Sequence, residues 1–460
     1  MEKPNQCNNP PKSVKIYDLS LIWKEAAYNF AFWEKLAPTL DWDKAYEDAL
    51  PAVLKNQNLY EYYLELKKFV ALLRDGHTYV NLPSCVLDNP MHTSRLPIFM
   101  CYSNGQWVVN DVKRCAGEQV KRWSIVRKIN DIPTQDYFAQ NIFPYVWHEK
   151  LDSASGRIYG HFSNGALDSR VKFDFEHDGT AYSATLARTF GDQDWLYDTP
   201  QAPPQKYVYQ SDSHKIAMTD DEIAVITIDS FGNDNLPREF NANFPLLEKA
   251  RGYIIDIRGN GGGNSGNTDA ITAAFIDGEF SSGRSLLPIH IGYYKAIAPY
   301  FDYGDKTYEQ VVAEHGSSQF IEGVYKLPRR IYYQEYVDLR QSASYNCPGV
   351  LKAPLVVLTT AKTGSAAEDM AVAMRHTNRG SVVGTPTNGS NGQPLHVQLK
   401  SGGSVCICTH YCTMPDGEEY INIGVKPHIH FEPSLEDLKN GRDTHMEQGL
   451  EVLRGMICDS

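Results

Sequence analysis

The sequence predicts a multidomain protein that ends in an α/β domain with a largely parallel sheet. The chain has 460 residues, and at about 150 residues per domain this length corresponds to roughly two to four domains. From about residue 207 onwards, apolar segments of strand length alternate with helical segments, which is typical of βαβ units. Helical periodicity dominates before residue 85, and short strand-like segments follow it.

An N-terminal helical region is predicted for residues 14–84. In YDLSLIWKEAAYNFAFWEKL (17–36), apolar side chains recur with the period of an amphipathic helix. A second helical segment, NLYEYYLELKKFVALLRDGH (58–77), contains a stop signal where Gly76 follows Asp75. The aromatic side chains of both segments are predicted to lie in the core.

A β-rich module is predicted for residues 85–200. Its strand-like segments are LPIFMCY, QWVVNDV, SIVRKIND and RVKFDFEHDGTAYSATLAR. The dipeptides Asn104-Gly105 and Asp178-Gly179 are typical of hairpin turns, so antiparallel strand pairs are expected around them.

The α/β domain is predicted for residues 207–460, after a proline-rich linker at 198–206. Its apolar strands include IAVITIDSF, GYIIDIRGN, APLVVLTTA and GSVVGTP. Helical segments such as TDAITAAFIDG and SAAEDMAVAMRH lie between them, which favours parallel strands.

Charge and composition argue against several classes of function. The net charge of −12 does not favour a nucleic-acid-binding surface. No apolar run approaches the ~20 residues that a membrane-spanning helix needs. The nine cysteines are an odd number in a long chain, which favours a reducing compartment, and VCICTHYC lacks zinc-type spacing. We expect a cytoplasmic protein, or a periplasmic or exported one if a leader peptide was removed.

Ser365 is the first candidate for chemistry, and two interpretations of it are open. It lies between Gly364 and two alanines in TTAKTGSAAEDMAVAMR (359–375), where a strand gives way to a helix. As an N-cap, its hydroxyl would bind a free backbone N–H, with Glu368 completing a capping box. As a nucleophile, it would be exposed at the corner beside N–H groups that can bind an oxyanion.

Two further segments are candidates to work with this serine. The glycines of IIDIRGNGGGNSGN (254–267) match neither a P-loop nor a dinucleotide fingerprint, but their backbone N–H groups could approach a developing negative charge. Ser265 within this segment is interpreted as a hydrogen-bonding loop residue. His77 in LLRDGHTYVNLP (72–83) is an isolated candidate base.

Together these segments resemble one family, the S41 serine peptidases, which comprise the tail-specific and tricorn-core proteases. DGHT, SIVRKINDIPTQDY, YIIDIRGNGGG, LVVLTTAKTGSAAEDMA, GSVVGTPTNG and NIGVKPHI follow one another in the order of that family. The resemblance implies a crotonase/ClpP-like spiral fold for the α/β domain and a PDZ-like module around residues 90–140. It also implies Ser365 as the nucleophile, and an oxyanion hole formed by Gly261 or Gly262 with the N–H of Ala366.

The resemblance is closer to the branch of the family that uses a histidine base. Ser390 stands where carboxyl-terminal processing proteases carry a lysine, whereas His77 matches the histidine of the tricorn-like branch. Gly76 replaces the serine that precedes this histidine in that branch. Glu419 is the expected third catalytic residue, with Glu418, Ser390 or none as the alternatives.

We therefore expect a serine endopeptidase that acts on a peptide or protein substrate. No metal or organic cofactor is expected, and the sequence does not indicate the oligomeric state. One alternative is a catalytically silent S41-like protein that binds peptides, because function resides in the site and not in the fold. A second alternative is an acyl-CoA hydrolase or isomerase on a crotonase-like core.

Overall fold

The computed structural model groups the chain into two compact units. It describes residues 9–55, 58–148, 150–191, 195, 206–289, 301, 303–327, 329, 333–341 and 347–458. Unit 1 comprises Met1–Cys85, Arg284–Asp338 and Gly392–Cys412, and unit 2 comprises Val86–Gly283, Leu339–Asn391 and Thr413–Ser460. The chain therefore forms two structural units, each of which contains helices and strands.

The division into domains at 14–84, 85–200 and 207–460 assumes that each domain is one continuous stretch of the chain, and it stays a prediction. The grouping by contacts differs, since segments far apart along the chain share unit 1. The predicted linker at 198–206 lies outside the described residues, apart from Lys206.

Helices occur throughout the described part of the chain. They are α1 (Lys12–Asn29), α2 (Trp33–Leu36), α3 (Trp42–Val53), α4 (Leu59–Ala71), α5 (Ser84–Leu87), α6 (Pro90–Thr93), α7 (Thr134–Asn141), α8 (Leu151–Ser163), α9 (Leu236–Ala242), α10 (Phe244–Leu247), α11 (Ser265–Ala273), α12 (Tyr308–His315), α13 (Gln319–Lys326), α14 (Ala366–Thr377), α15 (Leu435–Lys439) and α16 (Thr444–Cys458). None of these described helices combines the length and the apolar character needed to cross a bilayer.

Strands alternate with these helices. They are β1 (Tyr79–Asn81), β2 (Ser94–Arg95), β3 (Ile98–Ser103), β4 (Gln106–Val112), β5 (Ile125–Ile129), β6 (Ile132–Pro133), β7 (Asn164–Gly165), β8 (Arg170–His177), β9 (Thr180–Ala187), β10 (Tyr207–Gln210), β11 (Lys215–Met218), β12 (Ile223–Thr227), β13 (Gly252–Asp256), β14 (Phe280–Ile289), β15 (Tyr333–Gln341), β16 (Leu355–Thr359), β17 (Ser381–Gly384), β18 (Pro394–Gln398), β19 (Ser404–Cys408), β20 (Tyr411–Thr413) and β21 (Ile429–His430).

The strands form one large mixed sheet and several smaller ones. The large sheet, in unit 2, has seven strands in the order β10-β11-β12-β13-β16-β17-β21. Its first three strands are antiparallel, and from β12 to β21 all neighbours are parallel. The predicted parallel α/β architecture is thus confirmed. The other sheets have the orders β3-β4-β5-β8-β9, β1-β19-β18, β15-β14-β20 and β2-β7.

The large sheet is covered on both faces by helices. Ile255 and Val357 belong to the core cluster that includes side chains of α9, α11 and α14. Ile254 and Val356 belong to a second cluster that includes Leu453 of α16. Because successive side chains of a strand point to opposite faces, the continuous apolar runs of β13 and β16 supply both cores.

The loops that follow β13 and β16 emerge side by side. Asp256, the last residue of β13, pairs in register with Leu358 of β16. Since parallel strands have their carboxyl ends at the same edge of the sheet, the glycine segment 259–263 and Ser365 leave the sheet at that edge.

An ion-pair cluster fixes the start of α16 to this edge. The Arg258 guanidinium donates to both oxygens of Asp256 at 2.9 and 2.8 Å, and to both oxygens of Asp443 at 2.6 and 2.9 Å. Burial opposes ionisation of Asp443, but the hydrogen bond and charge of Arg258 outweigh it and lower the pKa of this carboxyl. We name these three residues the Arg258 clamp.

In unit 1, N-terminal helices pack on the sheet β1-β19-β18. The Tyr63 hydroxyl lies 2.7 Å from Ser401 Oγ and accepts a 2.7 Å hydrogen bond from the Gly403 N–H. Asp18 of α1 accepts a hydrogen bond of 2.8 Å from the Lys400 N–H. The turn between β18 and β19 is thus fixed to α1 and α4.

The predicted helical region and hairpins are found in the structure. Segment 17–36 forms α2 and most of α1, and its apolar residues Leu19 and Ile22 are fully buried. Asn104-Gly105 joins the antiparallel strands β3 and β4 with φ of 50° and 75°. Positive φ at both positions matches a type I′ turn, whose twist suits a hairpin.

Replacing Arg258 by alanine should leave Asp256 and Asp443 largely buried without their cation. Breaking a buried pair in this way typically costs about 3–5 kcal/mol, so the free energy of unfolding in urea should fall by an amount of that order. Arg454→Ala is the matched control, because its ion pair with Asp221 is more exposed, and such pairs contribute about 0–1 kcal/mol. Equal losses in the two variants would contradict a structural role of the clamp.

Candidate active site

Ser365 sits on a strained turn between β16 and α14. Its backbone has φ 52° and ψ −127°, a region that a residue with a Cβ rarely adopts. Its side chain makes no capping hydrogen bond to the helix that follows. The capping interpretation, with Glu368 closing a capping box, is therefore wrong. A non-glycine residue in such a conformation costs of order 1–3 kcal/mol and persists only where its surroundings impose it.

Hydrogen bonds from two neighbouring loops impose this turn. The Ser365 N–H donates to the carbonyl oxygen of Ser390 at 2.9 Å, and the Gly364 N–H donates to that of Asn260 at 3.0 Å. The Thr363 hydroxyl donates to the Ile257 carbonyl at 2.9 Å. The turn is therefore held between the loop after β13 and the loop after β17.

The glycine segment packs directly against Ser365. Gly262 has φ 110°, and a Cβ built on it would lie 2.6 Å from Ser365 Cβ and 3.0 Å from the amide nitrogen of Ala366. A Cβ on Gly261 would meet nothing within 4 Å. Only glycine fits at 262, because a side chain there would collide with the turn.

Backbone N–H groups differ in their availability around Ser365. The Gly262 N–H donates to Asn260 Oδ1 at 2.9 Å, so it is already engaged. The N–H groups of Gly261 and Ala366 donate no hydrogen bond to any described residue. These two groups are the ones that could bind an oxyanion.

Two buried carboxylates lie in the first turn of α14, and the sequence analysis gave neither of them a role beyond the helix cap. Burial raises the pKa of Glu368 to about 7, although hydrogen bonds from Thr387 and Gly389 act in the opposite direction. Burial also raises the pKa of Asp369 to about 7, against hydrogen bonds from Ser265 and Asn391. The signal in the sequence was an acidic pair, ED, directly before the apolar run MAVAM.

Ser265 is a hydrogen-bonding residue, as predicted. Its hydroxyl donates to Asp369 Oδ2 at 2.7 Å, and Asn391 Nδ2 donates to Asp369 Oδ1 at 2.8 Å. Asp369 therefore connects the first residue of α11 to the residue that precedes Gly392. This contact leaves Ser365 as the candidate nucleophile of the glycine-rich edge.

His77 lies in unit 1, in the segment between α4 and β1. Its backbone N–H donates to Asp75 Oδ2 at 3.1 Å, and the Thr78 hydroxyl donates to the same oxygen at 2.6 Å. The Cys408 N–H donates to the Thr78 hydroxyl at 3.0 Å, which fixes the segment to β19. His410 is a neighbour that the sequence analysis missed, and burial together with the charge of His77 lowers its pKa.

The two glutamates considered as a third member differ in their surroundings. Glu418 forms ion pairs with Arg375 at 2.9 Å and with Lys426 at 3.1 Å. Arg375 is in the last turn of α14, about 15 Å along the helix axis from Ser365. Glu419 is exposed and takes part in a backbone bridge with Thr413.

The structure thus brings part of the predicted site together within one unit. Ser365, Gly262 and Ala366 are in contact in unit 2, with Gly261 adjacent to them in the chain. His77 belongs to unit 1. Among the residues that the structure describes, no three His, Cys, Asp or Glu side chains form a group that could hold a metal ion.

Comparisons with known proteins show which family part of the chain is similar to. Residues 222–431 match the sequence model of peptidase family S41. The carboxy-terminal processing protease CtpA of Bacillus subtilis (strain 168) is 25% identical over 214 residues. That match covers 46% of this chain and 35% of CtpA, so the chain spans about a third of that relative.

Two solved structures share the fold over nearly the whole chain. Mature CPAF complexed with lactacystin has a TM-score of 0.73 at 15% identity, covering 98% of this chain and 99% of CPAF. A second structure of mature CPAF has a TM-score of 0.73 at 15% identity and covers 98% of both chains. The resemblance to the S41 peptidases that the sequence motifs indicated is matched by the family model over residues 222–431.

Proposed function

We propose that this protein is a serine peptidase that hydrolyses peptide bonds through an acyl-enzyme on Ser365. The observation that carries the proposal is the backbone of Ser365, which has φ 52° beside the close-packed glycine segment. A strained strand-to-helix turn is a known way to present a nucleophilic serine at the edge of a sheet. The S41 match over residues 222–431 supports the same activity.

Gly261 and Ala366 are the proposed oxyanion donors. Their N–H groups donate to no described residue and lie in the segments that pack together at Ser365. Gly262, the other glycine considered, is proposed to act by its close approach, because its own N–H is donated to Asn260. Donors aimed at the developing oxyanion stabilise the transition state more than the ground state.

His77 is the proposed general base. Ser365 Oγ attacks the scissile carbonyl carbon while the imidazole takes its proton. The imidazolium then gives the proton to the leaving amine, and the acyl-enzyme remains. Water, deprotonated by the same imidazole, attacks the ester carbonyl. The imidazolium then returns this proton to Ser365 Oγ as the ester bond breaks, which releases the acid and restores the free serine. No metal or organic cofactor takes part in this scheme.

The remaining parts of the site are proposed by analogy with the family. Glu419 is the proposed third catalytic residue, and the ion pairs of Glu418 with Arg375 and Lys426 argue against that alternative. We also propose endopeptidase action on a peptide or protein, a crotonase-like core and a PDZ-like module around residues 90–140. The proposed location is the cytoplasm, or the periplasm or exterior after leader removal.

A catalytically silent peptide-binding protein is the alternative. It is favoured by Ser390, which stands at the position where the lysine-dependent branch carries its base. Reactivity of Ser365 towards a fluorophosphonate separates the two functions, because only an activated serine is phosphonylated.

Ser365→Ala should abolish both peptide hydrolysis and fluorophosphonate labelling. Because the hydroxyl makes no capping hydrogen bond, the variant should avoid the loss of about 1 kcal/mol that removal of a cap usually causes. Mass spectrometry of the labelled wild-type protein should place the adduct on Ser365 and not on Ser265. Full turnover of the folded alanine variant would exclude Ser365 as the nucleophile.

Gly262→Ala should lower kcat strongly, whereas Gly261→Ala should be tolerated. The first methyl group would collide with Ser365 Cβ and displace the turn, and the second would enter open space. A displacement of about 1 Å at a reacting group can cost roughly 10²-fold in rate. Steady-state kinetics on a fluorogenic peptide provides the comparison, and equal kcat values in both variants would contradict the close-approach role.

His77→Ala should remove nearly all activity, while His410→Ala and Lys150→Ala should keep most of it. His410 is the neighbouring imidazole, and Lys150 is a partly buried lysine whose pKa is lowered by burial. Lys362→Ala and Lys400→Ala are two further controls, because these lysines are near Ser365 and Ser390, respectively, in the sequence. The measurement is kcat/KM together with the rate of labelling. The prediction is contradicted if the His77 variant stays active while the His410 variant or one of the lysine variants is folded but inactive. The residue replaced in that inactive variant would then be the general base.

A further inference from the structure

Glu368 lies beneath the turn that carries Ser365, and its carboxylate binds one of the loops that hold this turn. Its side chain is fully buried. One carboxylate oxygen, Oε1, accepts hydrogen bonds from the Thr387 hydroxyl at 2.5 Å and from the Gly389 N–H at 2.7 Å. Since the residues three apart on a helix share a face, Glu368 is one turn below Ser365 on the same side of α14.

The loop that Glu368 holds is also tied to the segment 420–425. The Thr387 hydroxyl accepts a 2.7 Å hydrogen bond from the Val425 N–H, and the Asn422 N–H donates to the Gly389 carbonyl at 2.6 Å. Glu368 is therefore the link from α14 to a doubly anchored loop.

This loop carries the acceptor that keeps Ser365 in its strained conformation. The residue after Gly389 is Ser390, whose carbonyl oxygen accepts the Ser365 N–H. The Asn388 N–H, in the same loop, donates to the Thr363 carbonyl at 2.8 Å. A shift of the loop would move the backbone of the nucleophile.

Charges around Glu368 come from few groups. Burial is the largest cause that raises the pKa of Glu368, and the charge of Asp369 on the same helix raises it further. Lys150, just before α8, interacts with it electrostatically and donates a hydrogen bond of 2.5 Å to the Ile423 carbonyl. The second carboxylate oxygen, Oε2, is buried without a hydrogen-bond partner in the described part of the chain.

We propose that Glu368 is a positioning residue for the peptidase reaction, which it serves by holding the 387–390 loop and so the backbone of Ser365. A buried carboxylate with one oxygen unsatisfied is a costly way to fill a core position. Its presence below the nucleophile is explained if the chemistry depends on the loop. The inference rests on the proposed function.

Glu368→Gln is the test, with Glu239→Gln as the matched control in the same unit. Glu239 is a partly buried carboxylate that accepts three hydroxyl hydrogen bonds, from Tyr209, Ser211 and Ser213, and has no part in the site. The amide lacks the negative charge that strengthens the hydrogen bonds from Thr387 and Gly389, and it replaces the unsatisfied oxygen Oε2 by a donor without an acceptor in the described part of the chain.

In Glu368→Gln, kcat and the rate of fluorophosphonate labelling should fall roughly 10²-fold with KM nearly unchanged. Backbone hydrogen exchange should accelerate in the peptide 360–366. Glu239→Gln should leave kcat, the labelling rate and the exchange of the peptide 360–366 unchanged, even if its melting temperature falls. Thr387→Val removes the hydroxyl that donates a hydrogen bond to Glu368. It should show the same losses, and it serves as the test if the glutamine variant does not fold.

The outcomes separate the two proposals. A reactive wild type with unchanged kcat and exchange in the folded Glu368 or Thr387 variants overturns this inference alone. A wild type that neither labels nor hydrolyses peptides overturns the proposed function and the inference with it. A fall in kcat that accompanies an equal fall in Glu239→Gln assigns Glu368 to general stability and also overturns the inference.

Discussion

The backbone conformation of Ser365 is the constraint on which the candidate site depends. A residue with a side chain adopts φ 52° only under compulsion. Here the compulsion comes from the Ser390 and Asn260 carbonyls and from the close approach of Gly262. Three parts of the structure therefore act together: the glycine segment, the 387–390 loop and the parallel strands that carry them. Together they fix the direction of the Ser365 hydroxyl.

Features with a local cause could be predicted from the sequence. The apolar runs of β13 and β16 indicated strands buried on both faces, and Asn104-Gly105 indicated a hairpin turn because few dipeptides tolerate two positive φ angles. The glycines after β13 indicated a close backbone approach, which the structure places at Ser365. In each case the residue type itself restricts the backbone.

Features that depend on distant partners could not be predicted in the same way. Acidic residues in the first turn of a helix have an ordinary explanation in the helix dipole, so Glu368 gave no sign that it binds Thr387 and Gly389. The N–H of Gly262 looked as available as that of Gly261, since only the fold reveals the Asn260 side chain beside it. The grouping of separate chain segments into unit 1 is equally non-local.

That grouping has a consequence for the order in which the protein can assemble. Tyr79 of β1 pairs with Cys406 of β19, so the sheet under the N-terminal helices can close only after the residues of β19 have been synthesised. The entropic cost of closing so long a loop grows slowly with the number of residues in it. The time needed to synthesise those residues, in contrast, grows in proportion to their number. Until the residues of β19 have been synthesised, the faces of α1 and α4 that pack on this sheet lack part of their partner, and exposed apolar surface of this kind is prone to aggregation.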